Sequence, residues 1–254
     1  MDRRNTLGHT VEINGIELYY EEQGQGEALL LLHGFTGAGA DFAHVFDRDA
    51  LAREFRVIAV DLRGHGRSTN PTGQFAIRSC AHDVHALLDR LGIERYAAIG
   101  MSLGAKTLLH MATQQPRRPR ALVLVSATPY FPETARTIMR HYTLDALPPE
   151  EQRALRERHA HGDAQLQALF AIARGFADSH DDMNLTPPLL ATIEARTLVV
   201  HGDRDPLYPV EIALSVHRAI PNSALMVLPN EGHAPIFGVW KEPFRSAALN
   251  ILRG

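Results

Sequence analysis

Six short runs of almost wholly apolar residues constrain the fold of this 254-residue chain more than any other feature of its sequence. A strand with one face in water alternates apolar and polar residues, whereas a strand buried on both faces is apolar throughout, as in a parallel sheet. Glycine and aspartate bound the runs, as is typical of short strands. We therefore predict buried parallel strands at Ala28–Leu32, Val57–Val60, Tyr96–Ile99, Ala121–Val125, Thr197–Val200 and Ala224–Leu228.

Amphipathic helical patterns lie between these runs. From Ile77 to Leu91, apolar residues recur at intervals of three and four and form one stripe, which is typical of a helix packed on a sheet. Because strands and helices alternate along the chain, we predict an α/β fold, a mostly parallel sheet with helices on both faces. Further helices are predicted over Leu103–Ala112, Val210–Ile220 and Phe237–Leu252.

The first strands of the chain have a different pattern. Between Thr10 and Tyr20, apolar and polar residues alternate on both sides of the dipeptide Asn14-Gly15. This dipeptide favours a two-residue turn with positive φ angles. The segment is therefore predicted to form two antiparallel strands joined by a tight turn.

The alternation of strands and helices stops between residues 128 and 185. This interval contains no convincing strand, is interrupted by prolines, and carries charged helical patterns over residues 149–159 and 164–176. It is too long for a simple connection between two strands. We therefore expect residues 1–127 and 186–254 to form the α/β core and residues 128–185 to form a helical cap over the carboxyl ends of the strands. An additional helical layer remote from any site is the alternative.

Composition and charge exclude several classes of function. The formal net charge is −3, so no basic excess points to a nucleic acid or an anionic membrane surface as a partner. The single cysteine, Cys80, excludes an intramolecular disulfide and a cysteine-based zinc cluster. The sequence shows no signal peptide and no apolar run near the roughly 20 residues of a membrane span, so we expect a cytoplasmic protein. Lys106 and Lys241 are the only lysines, which we interpret as a codon or surface bias and not as a site.

The segment Gly100–Gly104 has the pattern Gly-x-Ser-x-Gly. It follows a predicted strand and begins a predicted helix, which is the structural context of a nucleophile elbow. In such a turn the serine takes a strained backbone conformation, and the small residues two positions before and after it let the strand and the helix pass closely. We therefore predict that Ser102 is a nucleophile.

A serine hydroxyl needs a base that removes its proton, and the base needs an acid that orients it. In the chain order serine, acid, histidine, both partners follow Ser102. His233 comes shortly after the last predicted strand, so we predict that it is the base. Asp203 and Asp205 both follow the strand Thr197–Val200. Asp205 lies further along the loop and is favoured as the acid, whereas Asp203 is expected to bond backbone N–H groups.

Acyl transfer also needs backbone N–H donors aimed at the oxygen on which negative charge develops. Leu103, directly after the nucleophile, supplies one donor, and the loop after the strand Ala28–Leu32 should supply the other. Gly34 lets that loop turn, so the N–H of Phe35 is the second predicted donor. A glycine-rich loop could instead bind phosphate, but this one lacks the Gly-x-Gly-x-x-Gly and Walker patterns.

With these elements in this order, the chain resembles the α/β-hydrolase family over nearly its whole length. Besides the elbow, Asp205 and His233, the resemblance rests on His33-Gly34-Phe35 and on the segment Asp61–Ser68. It implies an eight-stranded, mostly parallel sheet, an inserted lid and a reaction without a cofactor. For Asp61–Ser68 it implies a structural turn that shapes the floor of the pocket.

Four residues near the predicted strand ends are candidates to line the substrate pocket. They are Met101, Tyr130, Phe131 and Tyr208. Packing in the core is the alternative for the three aromatic residues.

The predicted function is hydrolysis of a carboxylic ester or lactone of a small, largely apolar substrate through an acyl-enzyme on Ser102. Hydrolysis of a carbon–carbon bond, perhydrolysis or acyl transfer would use the same residues. A receptor that senses a small ligand in a hydrolase-like pocket is the alternative outside catalysis. The expected partner is a small-molecule substrate, without a nucleic acid or a membrane, and the sequence leaves the oligomeric state open.

Overall fold

The computed structural model describes residues 7–254, in which eight strands form one sheet. The sheet order is β1-β2-β4-β3-β5-β6-β7-β8, and the predicted α/β fold is confirmed. Strands β1 and β2 form an antiparallel hairpin, β2 is antiparallel to β4, and all other neighbours are parallel. The strands are Leu7–Ile13 (β1), Ile16–Gln23 (β2), Glu27–Leu32 (β3), Phe55–Val60 (β4), Tyr96–Met101 (β5), Pro119–Val125 (β6), Arg196–Gly202 (β7) and Ser223–Leu228 (β8).

The apolar runs form strands because both of their faces are buried. In β3, Leu30 and Leu32 pack into one core cluster, whereas Leu29 and Leu31 pack into the cluster on the opposite face of the sheet. The prediction of burial on both faces is wrong for β8, where Val227 is 39% exposed. This strand lies at the edge of the sheet, where the packed layers end.

Helices cover both faces of the sheet, as predicted. Residues of α2, α3 and α8 belong to one core cluster, and residues of α1 and α9 belong to the other. Among residues 7–254, no helix is long and apolar enough to cross a membrane. The helices are Arg48–Ala52 (α1), Ile77–Arg90 (α2), Leu103–Gln114 (α3), Glu133–Arg140 (α4), Pro149–Arg158 (α5), Gly162–Gly175 (α6), Pro187–Leu190 (α7), Val210–Ala219 (α8) and Lys241–Arg253 (α9).

Two local features bear on the predicted boundaries. In the β1-β2 turn, Asn14 has a φ of 49° and Gly15 a φ of 74°, which are the positive angles that the predicted tight turn requires. Helix α9 begins at Lys241, later than predicted, after a short 3-10 turn that starts at Gly238. Gly238 has a φ of 67°, and Pro243 lacks the N–H that an interior helical position donates, so it lies in the first turn.

Residues 128–185, here called the cap segment, contain helices α4, α5 and α6 and contribute no strand to the sheet. The two ends of the cap segment meet in space. Tyr130 and Asn184 form an isolated antiparallel bridge, and the N–H of Leu185 donates to the carbonyl of Pro129 at 2.9 Å. The segment therefore leaves and rejoins the rest of the chain at one place.

The cap segment is hydrogen bonded to the turn Asp61–Ser68. The N–H of Ala160 donates to the carbonyl of Gly66 at 3.0 Å, and Gln165 Nε2 donates to the carbonyls of Gly64 and Gly66 at 3.0 and 3.1 Å. Within the turn, the Asp61 carboxylate accepts the N–H of Arg67 at 2.9 Å. The turn is thus structural, as the resemblance implies. It supports the cap segment, and the ring centroid of its His65 lies 5.0 Å from that of Phe35.

A second connection joins the end of the cap segment to helix α2. The Asp182 carboxylate accepts the backbone N–H groups of Ile77 and Arg78 at 2.6 and 3.1 Å. These are the first two residues of α2, and Ala76 before them has no side-chain acceptor. Asp182 therefore caps a helix that lies far from it in sequence.

Candidate active site

Ser102 lies in a tight turn between β5 and α3, with a φ of 48° and a ψ of −102°. A non-glycine residue rarely adopts a positive φ, and the observed value is the strained conformation that the elbow predicts. A Cβ on Gly100 would lie 2.6 Å from backbone atoms of Gly104, and a Cβ on Gly104 would lie 1.9 Å from the carbonyl oxygen of Leu32. Only glycine fits at these two positions, because the strand and the helix are in backbone contact there.

The structure brings Ser102, His233 and Asp205 together. The hydroxyl of Ser102 lies 2.9 Å from His233 Nε2, and His233 Nδ1 lies 2.7 Å from Asp205 Oδ2. The three residues follow β5, β8 and β7, whose carboxyl ends share one edge of the sheet. The Asp205 side chain is fully buried, whereas that of His233 is 22% exposed. The arrangement can transfer a proton from the serine to the imidazole.

The environment of Asp205 keeps its carboxylate ionised. Burial acts to raise its pKa, but hydrogen bonds from His233 and from the N–H groups of Leu207 and Tyr208, at 2.8 and 3.1 Å, outweigh burial and hold the pKa below its usual value. Asp203 instead accepts the N–H of Glu231 at 3.3 Å, which is the loop contact expected of it.

The loop with the predicted oxyanion donor lies against the nucleophile. A Cβ on Gly34 would lie 3.7 Å from Ser102 Cβ. His33 fixes the loop, because its ring accepts the N–H of Leu62 at 2.9 Å and donates to the carbonyl of Gly34 at 2.7 Å. Within residues 7–254, the N–H groups of Phe35 and Leu103 form no hydrogen bond, so both are free to bind a substrate oxygen.

A cavity of about 270 Å³ lies over Ser102, between the sheet and the cap segment. Of the four predicted pocket residues, Met101 and Tyr208 line this cavity, and Tyr130 and Phe131 do not. Further lining residues from the core include Phe35, Lys106 and Leu207. The cap segment contributes Ile138, Met139, Tyr142, Ala173 and Phe176.

Tyr130 and Phe131 take other positions, and each has its own partner in the cap segment. Tyr130 forms the bridge with Asn184, and its side chain is 47% exposed. Phe131 is buried, with its ring centroid 5.4 Å from that of Phe176. A position near a strand end therefore did not determine where either side chain points.

Lys106 is a residue of the cavity that the sequence analysis missed. It is 3% exposed, and its Nζ donates to the hydroxyl of Tyr208 at 2.9 Å. Burial lowers the pKa of Lys106 to about 7, although the Asp205 and Asp182 carboxylates act to raise it. The interpretation as a surface bias is therefore wrong for this lysine. Its position within the otherwise small and apolar start of helix α3 was the available signal.

Within residues 7–254, no group of three or more His, Cys, Asp or Glu side chains is placed to hold a metal ion. The cavity residues that can exchange protons or bind oxygen are Ser102, His233, Lys106, Tyr142 and Tyr208.

Comparisons with known proteins agree with this fold. The family model described as alpha/beta hydrolase fold matches residues 27–149, and a model described as TAP-like protein matches residues 180–239. The enol-lactonase from Burkholderia xenovorans LB400 is a similar solved structure, with a TM-score of 0.78 and 21% identity. The alignment covers 97% of this chain and 100% of the lactonase.

Two curated relatives align over most of their length. The pimeloyl-(acyl-carrier protein) methyl ester esterase of Nitrosomonas europaea is 29% identical, over 86% of this chain and 93% of the esterase. The 2-hydroxy-6-oxononadienedioate/2-hydroxy-6-oxononatrienedioate hydrolase 2 of Pseudomonas putida is 30% identical, over 94% of this chain and 92% of the relative. The fold, the family model and these relatives agree, and the chain belongs to the α/β-hydrolase family.

Proposed function

We propose that this α/β hydrolase is a serine hydrolase that cleaves a carboxylic ester or lactone of a small, largely apolar substrate. The observation that carries the proposal is the unbroken hydrogen-bonded chain from Ser102 through His233 to Asp205 at the wall of an apolar cavity. The cavity volume of about 270 Å³ is near the lower end of the range for small-molecule sites. The esterase and enol-lactonase relatives support the same bond type.

In the proposed first step, Ser102 Oγ attacks the carbonyl carbon of the substrate while His233 Nε2 accepts the serine proton. The developing negative charge on the carbonyl oxygen is bound by the N–H groups of Phe35 and Leu103. Asp205 orients the imidazole through Nδ1 and stabilises the imidazolium. The protonated His233 then donates its proton to the leaving alcohol, and an acyl-enzyme remains.

In the proposed second step, water hydrolyses the acyl-enzyme. His233 accepts a proton from the water, whose oxygen attacks the acyl carbon, and the proton then returns to Ser102 Oγ as the acid is released. Both steps use the same base and the same N–H groups. The reaction as proposed requires no cofactor.

Hydrolysis of p-nitrophenyl acetate, butyrate and octanoate and of a simple lactone tests the proposal. We expect Ser102→Ala to lose at least about 10³-fold in kcat/KM, because it removes the nucleophile. Because the cavity is small, we expect butyrate to be preferred over octanoate.

Ser215→Ala is the matched control, since Ser215 lies on helix α8 and donates to the carbonyl of Ile212. It should hydrolyse the esters at the wild-type rate. Equal, feeble rates for wild type and Ser102→Ala would contradict the proposal. If a ligand still raised the melting temperature of both proteins, the sensing alternative would be favoured.

A second candidate is hydrolysis of a carbon–carbon bond by the same three residues. It is supported by the relative from Pseudomonas putida, which is named as a hydrolase of 2-hydroxy-6-oxononadienedioate. A coloured dienol substrate discriminates between the candidates. A kcat/KM for the dienol above that for every ester and lactone would favour carbon–carbon cleavage.

A further inference from the structure

Lys106 is placed where a substrate can reach it. Its N–H donates to the carbonyl of Ser102 at 2.9 Å, so Lys106 lies one helical turn from the proposed nucleophile, about 5–6 Å along the axis. Its side chain lines the same cavity as Ser102 and His233. A lysine is almost never this buried unless its ammonium has a partner.

The hydrogen bonds of Lys106 are incomplete. An ammonium has three N–H donors and no acceptor, and the one partner of Lys106 Nζ is the hydroxyl of Tyr208, at 2.9 Å. Within residues 7–254, no carboxylate lies within ion-pair distance of Nζ, and Asp205 and Asp182 act on it only over longer distances. Two aromatic faces lie near the ammonium, with Nζ 5.0 Å from the ring centroid of Phe131 and 5.4 Å from that of Tyr208.

This end of the cavity therefore offers donors without an acceptor. Tyr208 uses its hydroxyl oxygen to accept from Lys106, which leaves its own O–H as a further donor. Aromatic faces stabilise a cation but accept no strong hydrogen bond. The group that completes this arrangement is an anionic oxygen that accepts from both Lys106 and Tyr208, and the cavity wall does not provide one.

We propose that Lys106, with Tyr208, determines specificity by binding a carboxylate carried on the substrate, so that the enzyme prefers anionic over neutral substrates of the same size. This inference rests on the proposed ester or lactone hydrolysis. Charge-assisted hydrogen bonds from Lys106 and Tyr208 offset the hydration that the carboxylate loses on binding, while the apolar remainder of the cavity holds the rest of the substrate.

The test compares two pairs of esters that differ in one charge. Mono-4-nitrophenyl adipate and 4-nitrophenyl hexanoate differ at the end of the acyl chain. Pentanoate esters of 4-carboxyphenol and 4-hydroxybenzamide differ on the leaving group. For each pair, the ratio of kcat/KM values is measured after subtraction of the uncatalysed rate, so that a general loss of activity cancels.

The variants are Lys106→Met, which keeps the length of the side chain, and Lys241→Met as the matched control. Lys241 is the other lysine of the chain and begins helix α9, outside the cavity. In at least one pair, we expect wild type and Lys241→Met to prefer the anionic ester by about 10- to 100-fold, the effect of one hydrogen bond to a charged group. We expect Lys106→Met to lose this preference, mainly through KM.

No preference in either pair, or a preference that Lys106→Met retains, would overturn the inference. An equal loss for both members of a pair would show that Lys106 only supports the fold. A second measurement separates failure of this inference from failure of the proposed function. Calorimetry measures the binding of adipate to Ser102→Ala and to the double variant that also carries Lys106→Met. Adipate binding that requires Lys106 supports the inference even if no ester is hydrolysed, and adipate binding that does not require Lys106 contradicts it.

Discussion

The backbone of Ser102 is strained. A φ of 48° with a ψ of −102° costs on the order of 1–3 kcal/mol and persists only where the surroundings enforce it. Two hydrogen bonds do so here, from the Ser102 N–H to the carbonyl of Val125 at 2.8 Å and from the Lys106 N–H to the carbonyl of Ser102. In this conformation the hydroxyl lies 2.9 Å from His233 Nε2.

Gly104→Ala tests the close contact that makes this turn possible. The added Cβ would lie 1.9 Å from the carbonyl oxygen of Leu32, which is backbone and cannot yield without moving the strand. We expect a loss of about 3 kcal/mol or more in the free energy of unfolding, measured with urea.

Gly175→Ala is the control for this substitution. Gly175 ends helix α6 with a φ of −61°, and a Cβ there would meet no atom within 4 Å. Alanine should leave the stability unchanged or raise it by up to about 1 kcal/mol. Equal losses for the two alanine variants would contradict the packing argument.

At the level of elements, helix α2 is completed by the cap segment. The first N–H groups of a helix lack partners within it, and Ala76 supplies none. The carboxylate of Asp182 accepts two of them and also places a negative charge at the positive end of the helix dipole. The core and the cap segment therefore share one capping interaction.

Asp182→Ala should lower the free energy of unfolding by about 1–2 kcal/mol, because it leaves the N–H groups of Ile77 and Arg78 without their acceptor. Asp181→Ala removes the same charge one position earlier. The contact of Asp181 with Arg78 uses its backbone carbonyl, which alanine retains. We expect Asp181→Ala to match wild type in thermal unfolding, and equal effects of the two substitutions would show that charge alone acts here.

Features that depend on neighbouring residues could be predicted from the sequence, whereas features that depend on residues distant in the chain could not. The hairpin turn and the elbow depend on φ angles and contacts within a few residues, so Asn14-Gly15 and the glycines around Ser102 reveal them. The cap of α2 joins residues 105 positions apart, and no local pattern marks it. The directions of Tyr130 and Phe131 likewise depend on distant partners, Asn184 and Phe176, that the local sequence does not show.

At the scale of the whole molecule, stability depends on pH through Lys106. Its pKa is about 7 in the folded protein and about 10.4 in an unfolded chain, so the unfolded state binds more protons between these values. The free energy of unfolding therefore rises with pH in this window. The free energy of unfolding rises, and does not fall, because burial disfavours the charged form of Lys106, which the unfolded chain retains.

We expect the stability of wild type, relative to Lys106→Met, to increase by about 3 kcal/mol between pH 7 and pH 10. Urea unfolding at the two pH values measures the difference, and all other titrating groups cancel in the comparison. Lys241→Met should follow wild type across the range. A constant difference between wild type and Lys106→Met would show that the ammonium is equally protonated in both states.

The apolar runs predicted the architecture because a strand buried on both faces has an almost wholly apolar sequence, and this pattern can be recognised in each strand separately. The order of the serine, the acid and the histidine along the chain predicted which residues meet, since each follows a strand that ends at the same edge. The burial of Lys106 arises only when α3, the β7–α8 loop and the cap segment are assembled. The small and apolar residues around Lys106 at the start of α3 indicate that it is buried, but they do not show which other elements enclose it.

The paired ends of the cap segment have a consequence for how such a protein can change. Tyr130 pairs with Asn184, and the N–H of Leu185 donates to the carbonyl of Pro129, so the cap segment begins and ends at one place in the structure. Because its two ends adjoin, another segment could replace it without changing the path of the eight strands, provided that the new segment again supplies an acceptor for the first N–H groups of α2. The five residues with which the cap segment lines the cavity would be exchanged, and Ser102, His233 and Asp205 would stay. Part of the cavity wall could thus change without any change in Ser102, His233 and Asp205, while Lys106 and Tyr208 would stay with these three residues in the core.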